Sequence, residues 1–73
     1  MKYYRCRYLK KGKEVGRQYY FKSPQEFEVG DIVWTENRGK VIIVAIADSE
    51  EDKGFIEKLE AYKIKSITER VEV

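Results

Sequence analysis

The sequence predicts a small, mainly β protein, an SH3-like or closely related bent barrel of five strands with a short helix or helical turn before the last strand. Three observations predict this fold. Several short segments alternate or concentrate β-forming residues between turns that contain Gly or Asn. One of them, residues 41–47, is apolar at every position and therefore needs cover on both faces. The 73 residues are enough for one domain, 1–73, with a small core.

The first two strands follow from a period-two alternation on either side of a short turn. Residues 2–9 alternate along the chain, and residues 17–22 alternate again after a turn at Gly12. The side chains predicted to face the core are Tyr4, Cys6, Tyr8, Tyr19 and Phe21. The opposite face of this hairpin is predicted to be exposed and to carry Tyr3, Arg5, Arg7, Tyr20 and Lys22.

The middle of the chain predicts a connector and a second hairpin. Residues 23–26 have the form of a capping box with Pro at the first helical position, but a helix there could last only about one turn, so we predict a connector. Residues 32–36 and 41–47 flank the turn residues 37–39. The apolar second strand fits a closed barrel, a two-layer sandwich or a sheet that docks on a second subunit.

The last third of the chain predicts a loop, a short helix and a terminal strand. The acidic run at residues 48–52 is typical of a solvated loop. The recurrence of Phe55, Leu59 and Tyr62 at helical spacing favours a short amphipathic helix. The final strand is predicted around Ile67, Val71 and Val73.

The composition limits the chemistry that the chain could perform. There is no His, which removes an imidazole base, a Ser/His/Asp triad and any zinc site that uses His. Cys6 is the single Cys, so no disulfide or four-thiolate site forms within one chain, and its neighbours at strand spacing predict a buried small hydrophobe. We therefore expect no catalysis, no metal and no cofactor. With no long apolar segment or signal peptide, we expect a cytoplasmic protein without a membrane partner.

Charge is distributed unevenly along the chain. Residues 1–22 hold eight Lys and Arg against Glu14 alone, a balance of +7, whereas residues 23–73 carry a balance of −5. Basic side chains that alternate with aromatic ones are what a single-stranded nucleic acid binder requires, because cations contact phosphates and rings stack on bases. The leading hypothesis is a non-enzymatic, sequence-tolerant nucleic-acid-binding accessory module. Its predicted contact residues are Tyr3, Arg5, Arg7, Lys10, Lys11, Tyr20 and Lys22.

Two alternatives stay open at this stage. The basic and acidic parts could neutralise each other within the barrel or across a homodimer interface. The protein could also be a small phage or bacterial protein-interaction or inhibitor module, as a monomer or a homodimer, that docks its apolar strand 41–47 or an exposed sheet edge on a protein partner. Trp34 is predicted to be a core residue, as large aromatics on strands usually are. If it pointed outward beside Arg38 and Lys40, it would become a platform for base stacking.

A sequence resemblance to a known family extends over the middle of the chain. Residues 19–21, residues 27–33 with their Val-Gly-Asp turn, and residues 38–46 resemble the N-terminal domain of the PriA replication-restart helicases. That resemblance implies a small β-barrel that holds the 3′ end of a DNA strand. The segment 62–67 also looks like the end of short uncharacterised proteins of phages and low-GC Gram-positive bacteria, which implies a stand-alone accessory protein.

Overall fold

The computed structural model describes residues 1–59 and 63–72, and these residues form one closed five-stranded barrel with a single helix. The elements in chain order are β1 (Lys2–Lys10), β2 (Lys13–Ser23), β3 (Ile32–Thr35), β4 (Lys40–Ile46), α1 (Glu50–Lys58) and β5 (Lys65–Arg70). Around the barrel the order is β1-β2-β5-β3-β4. The predicted fold class, a mainly β bent barrel with a helix before the last strand, is confirmed.

Strand pairing closes the barrel through one parallel and four antiparallel contacts. β1 lies between β2 and β4 and is antiparallel to both. β5 pairs with β2 in parallel and with β3 in antiparallel orientation. Register shifts occur on both sides of β1: between Cys6 and Tyr8 against β2, and between Arg5 and Cys6 against β4. Extra residues in one strand of a pair bend that strand and increase its twist, which is what closure of so short a sheet needs.

The core fills the inside of this barrel. Its buried side chains are Tyr4, Cys6, Phe21, Phe27, Val33, Val41, Ile43 and Ile67, with Tyr8 packed against them. The Tyr4 hydroxyl donates to the Gln25 carbonyl at 2.9 Å and accepts from the Phe27 amide at 3.0 Å. This one hydroxyl therefore fixes the connector between β2 and β3, where the structure has no helix, as predicted.

Barrel closure accounts for the apolar composition of β4. Val41 and Ile43 are completely buried inside, and the alternate residues Ile42 and Val44 are half-buried on the outside. The core of a single chain thus accounts for two of the six apolar residues of β4. The other four are half-buried or exposed, and Ile46 at the end of the strand is 37% exposed.

Three predictions about side-chain environment are wrong. The acidic run is not a solvated loop: Ser49 caps α1, Glu50 begins it, and Asp52 is buried. Tyr19 is 45% exposed at the barrel mouth instead of lying in the core. Trp34 points outward, since the adjacent Val33 takes the inward position of β3.

The predicted helix and terminal strand are present over shorter spans. Phe55 belongs to α1 and Leu59 is its C-cap, whereas the predicted helical position Tyr62 lies outside the described residues. Ile67 is buried in β5, Val71 follows the strand, and Val73 also lies outside the described residues.

Candidate nucleic-acid interface

The hairpin face that the sequence predicts to be exposed is partly covered by α1. Tyr20 donates a hydrogen bond from its hydroxyl to Asp52 Oδ1 at 2.9 Å, and its ring stacks on Phe55 with centroids 6.4 Å apart. Arg5 Nε lies 3.5 Å from the same carboxylate oxygen. Burial, and then the bond to Asp52, raise the pKa of Tyr20. These two predicted contact residues already have a carboxylate partner in the chain.

Three further predicted contact residues are half-buried, and two of them, Arg7 and Lys22, have interaction partners within the chain. Arg7 Nη1 lies 3.4 Å from Glu14 Oε1, and Arg7 Nε donates to the Gly16 carbonyl at 3.1 Å. Tyr3 is half-buried and lines an apolar cleft of about 460 Å³ between the start of β1, the end of β4 and α1. Lys22 is half-buried and has an interaction partner within the chain.

The remaining two predicted contact residues lie at the end of the β1–β2 hairpin, in a group that we call the lysine tip: Lys10, Lys11 and Lys13. All three side chains are exposed, and none forms an ion pair with any residue that the structure describes. Lys10 and Lys13 face each other across the hairpin. Lys11 and Gly12 both have positive φ, 53° and 77°, which is the pattern of a type I′ turn.

The lysine tip continues into an irregular part of β2. A step of two positions along β1, from Cys6 to Tyr8, faces a step of four positions along β2, from Tyr19 to Val15, and Gly16 within this bulge has a φ of 75°. Tyr19 is paired with Cys6 at the last regular position before the bulge, and it is 45% exposed at the barrel mouth, where its ring packs against Tyr8 with centroids 5.7 Å apart. Within the bulge, Arg17 is exposed and forms no ion pair in the described part of the chain.

A groove next to Tyr19 combines aromatic and basic side chains. It has a volume of about 340 Å³. Its lining residues are Tyr8, Tyr19, Tyr20, Phe21, Leu59, Lys63, Ile64 and Lys65. The lining thus combines aromatic and Lys side chains, the residue types that contact bases and phosphates in single-strand binders.

The β3–β4 turn lies at the same end of the barrel. The β-carbon of a side chain at Gly39 would come within 3.5 Å of Tyr8 Cε1, so the turn passes directly over this ring. The outward Trp34 carries two cations: the Arg38 guanidinium carbon is 4.9 Å and Lys40 Nζ is 5.2 Å from the ring centroid. The sequence predicts Trp34 in the core because large aromatics on strands are usually buried, and alternation alone cannot distinguish it from Val33.

The described residues offer little reactive chemistry elsewhere. Cys6 is fully buried, as predicted, and burial raises the pKa of its thiol to about 12, so the reactive thiolate is scarce at neutral pH. No group of three or more His, Cys, Asp or Glu that could hold a metal ion occurs within residues 1–59 and 63–72. Within the same residues, no helix is both long and apolar enough to cross a bilayer.

Comparisons with protein-family models, curated proteins and solved structures find no significant match to this chain.

Proposed function

We propose that the protein is a non-enzymatic nucleic-acid-binding module that holds a single strand at the barrel end formed by the lysine tip, Arg17 and Tyr19. The observation that carries this proposal is the lysine tip itself. Three ammonium groups lie within four residues, exposed and without a carboxylate partner in the described chain. Arg5, Arg7 and Tyr20, which have such partners, are assigned to stabilising the fold instead.

The lysine tip is unfavourable for the isolated protein. Like charges directly opposite each other on neighbouring strands are destabilising, and Lys10 faces Lys13. Lys11 adopts the left-handed conformation that Gly and Asn accept more readily. A polyanion removes the repulsion, and the counterions that it releases drive association. The exposed ring of Tyr19 adds a surface on which any base could stack, consistent with sequence-tolerant binding.

A salt titration tests the proposal. A fluorescently labelled single strand of about 12 nucleotides is titrated with the protein at several salt concentrations, and anisotropy gives the affinity. If the lysine tip and Arg17 contact about four phosphates, log K falls with log salt with a slope of about −3. The double variant Lys11→Gln/Lys13→Gln should make the slope of log K against log salt less negative by about 1.4. It should also weaken binding roughly 10- to 30-fold at about 0.1 M salt.

A charge-matched control distinguishes local contacts from net charge. Lys53→Gln/Lys58→Gln removes two exposed ammonium groups from α1, away from the lysine tip. Equal effects of the two double variants, or a slope near zero for the unmodified protein, would contradict the proposal. In that case the protein-docking alternative gains support, and sedimentation with a candidate partner is the next measurement.

The same assay also tests the expectation from the PriA resemblance. A linear single strand offers a 3′ end, and a circular strand of equal length does not. Preference for the linear strand would favour end binding, whereas equal affinity would favour binding along the strand. The proposal for the lysine tip requires only that the linear and the circular strand each displace the labelled strand from the protein more effectively than an uncharged polymer does.

A further inference from the structure

Trp34 presents an aromatic ring on the outer face of β3 with two cations beside it. Val33 fills the core on the other side of the strand, and Lys40 is the direct cross-strand neighbour of Trp34. Arg38 and Lys40 lie over the ring, and neither forms an ion pair within residues 1–59 and 63–72. The cluster of these three residues therefore has both components of a nucleotide site, a ring and unpaired positive charge.

The backbone at Arg38 is a second, independent observation. Arg38 donates its amide to the Thr35 carbonyl at 2.9 Å, Thr35 donates to the Gly39 carbonyl at 2.7 Å, and Arg38 has a φ of 67°. Three-residue hairpin loops normally place Gly at this left-handed position. Among the described residues, Arg38 and Lys11 are the two non-glycine residues with positive φ, and both are cations at turns of the same barrel end.

The cations already over the ring do not prevent a base from stacking. An exposed cation–π contact corresponds to about a two- to fivefold effect on an equilibrium. Base stacking on an aromatic side chain corresponds to about a 5- to 150-fold effect on affinity. An incoming base therefore displaces the exposed Arg38 side chain from the ring and leaves its guanidinium for the adjacent phosphate.

The cluster is close enough to the lysine tip to contact the same strand. β4 pairs directly with β1, and β3 pairs with β4, so the two groups are two strands apart, about 10 Å at the usual strand spacing. The β3–β4 turn also packs over Tyr8, which precedes the lysine tip in β1. In the closed barrel order, the strand between β3 and β1 is β4, which itself carries Lys40 of the cluster.

We propose that Trp34, Arg38 and Lys40 form a stacking subsite for one unpaired base of the strand held at the lysine tip. This inference rests on the proposed function and deepens it, because it makes unpaired bases the ligand in addition to phosphate charge. A duplex contacts the cations but leaves the Trp34 ring unstacked, because its bases are stacked on each other. A polyanion without bases does the same, because it has no ring to offer.

Intrinsic fluorescence provides a direct test, because Trp34 is the single tryptophan of the chain. The unmodified protein is titrated at low salt with oligothymidylate of about 12 nucleotides, with a duplex of the same length and with heparin. We expect the single strand to quench the emission and the other two to bind with little quenching. Trp34→Ala should weaken binding of the labelled single strand by about 5- to 150-fold and leave heparin binding unchanged.

Two further variants separate stacking from loss of structure. Arg38→Gly suits the left-handed backbone and removes the guanidinium, so it should keep the fold while weakening single-strand binding. Phe55→Leu removes another exposed ring, on α1, and should leave binding unchanged. Thermal unfolding of each variant shows whether the barrel is intact.

The outcomes separate this inference from the proposed function. If neither oligothymidylate nor heparin binds at low salt, the proposed function fails. If single strands bind with a steep salt dependence but cause no quenching, and Trp34→Ala binds them like the unmodified protein, the stacking subsite alone is overturned. Equal quenching by heparin would also overturn it, since heparin has no base to stack.

Discussion

Asp52 connects α1 to the barrel through side chains from three parts of the chain. Its Oδ1 accepts from the Tyr20 hydroxyl and faces Arg5 Nε, and its Oδ2 accepts from the Ser49 hydroxyl at 2.8 Å. The Ser49 hydroxyl oxygen accepts from the Asp52 amide, and the Ser49 amide donates to Asp52 Oδ2 at 3.4 Å, which completes a capping box. Burial by itself would raise the pKa of Asp52, but the hydrogen bonds from Ser49 and Tyr20 outweigh it, and the pKa lies below its ordinary value.

Replacing this carboxylate should loosen the helix. Asp52→Asn removes the charge that Arg5 faces and weakens the bonds from Ser49 and Tyr20, so the free energy of unfolding should fall by about 1 to 2 kcal/mol at pH 7. Because the folded state lowers the pKa, the stabilisation is present above the unfolded value of about 4 and disappears as pH falls through the lower folded value. Urea unfolding at neutral and acidic pH measures both effects.

A neighbouring carboxylate provides the control for Asp52. Glu51 is exposed and also lies in the first turn of α1, so Glu51→Gln should change stability much less. An equal loss for the two variants would show that charge near the helix N-terminus matters and the contacts of Asp52 do not. A gap between Asp52→Asn and the unmodified protein that persisted undiminished at strongly acidic pH would contradict the linkage argument.

At the level of elements, the strands could be predicted because their signals are local. Alternation in β1 and uniform apolarity in β4 follow directly from burial on one face or on two. The exposure of Tyr19 could not be predicted, because its register opposite Cys6 is the expected one, and alternation carries no signal for where the barrel interior ends beside the bulge at Gly16. The role of Asp52 had a sequence signal, the Ser49-x-x-Asp52 spacing, but its partners Arg5 and Tyr20 come from a distant hairpin.

The candidate site could be predicted only as a region. The cationic hairpin was evident from composition, but which of its residues have carboxylate partners depends on where α1 lies. Arg5 and Tyr20 meet α1, whereas Lys10 and Lys11 extend to the turn away from it. Trp34 could not be assigned because Val33 and Trp34 are both suitable core residues on a short strand.

The turn of the β1–β2 hairpin gives a prediction in which stability and binding change in opposite directions. Asn is the preferred residue at the first central position of a type I′ turn, which Lys11 occupies. Lys11→Asn should raise the free energy of unfolding by about 0.5 kcal/mol through the backbone and through reduced repulsion with Lys10 and Lys13. The same variant should weaken single-strand binding several-fold, measured by anisotropy at low salt.

Lys58→Gln is the matched control for Lys11→Asn. It also removes one positive charge, but from the last turn of α1. If Lys11→Asn stabilises the barrel yet binds single strands no more weakly than Lys58→Gln, Lys11 has no part in binding. Loss of binding together with increased stability would exclude unfolding as its cause.

On the scale of the whole molecule, the charge asymmetry of the sequence remains asymmetric in space. Several cations outside the β1–β2 hairpin end are paired: Lys2 with Glu26, Arg70 with Asp31 at 3.1 Å, and Lys53 with Glu50 at 3.8 Å. The lysine tip and Arg17 lie towards the other end of β1 and β2 and form no ion pair with the residues that the structure describes. Although the net charge is only +2, the molecule therefore has a basic end, and the rest of it is acidic.

This asymmetry predicts attraction between copies of the protein at low ionic strength. The molecule is 33 Å in its longest dimension, and the Debye length is about 30 Å at 0.01 M salt but about 8 Å at 0.15 M. The basic end of one copy should therefore attract the acidic surface of another in dilute salt, and physiological salt should screen this attraction. At about 0.01 M salt, dynamic light scattering should show a diffusion coefficient that falls as the protein concentration rises. At about 0.15 M salt, the diffusion coefficient should not fall in this way.

The lysine tip should account for much of this attraction, since its charges are the ones without internal partners. Lys11→Gln/Lys13→Gln should reduce the concentration dependence of diffusion more than Lys53→Gln/Lys58→Gln does, although both lower the net charge of the protein from +2 to zero. Single-stranded oligonucleotide should abolish the attraction in the unmodified protein, because it occupies the same cations. Attraction that persisted at high salt would instead indicate an apolar interface, for which the half-buried outer residues of β4 are the first candidates.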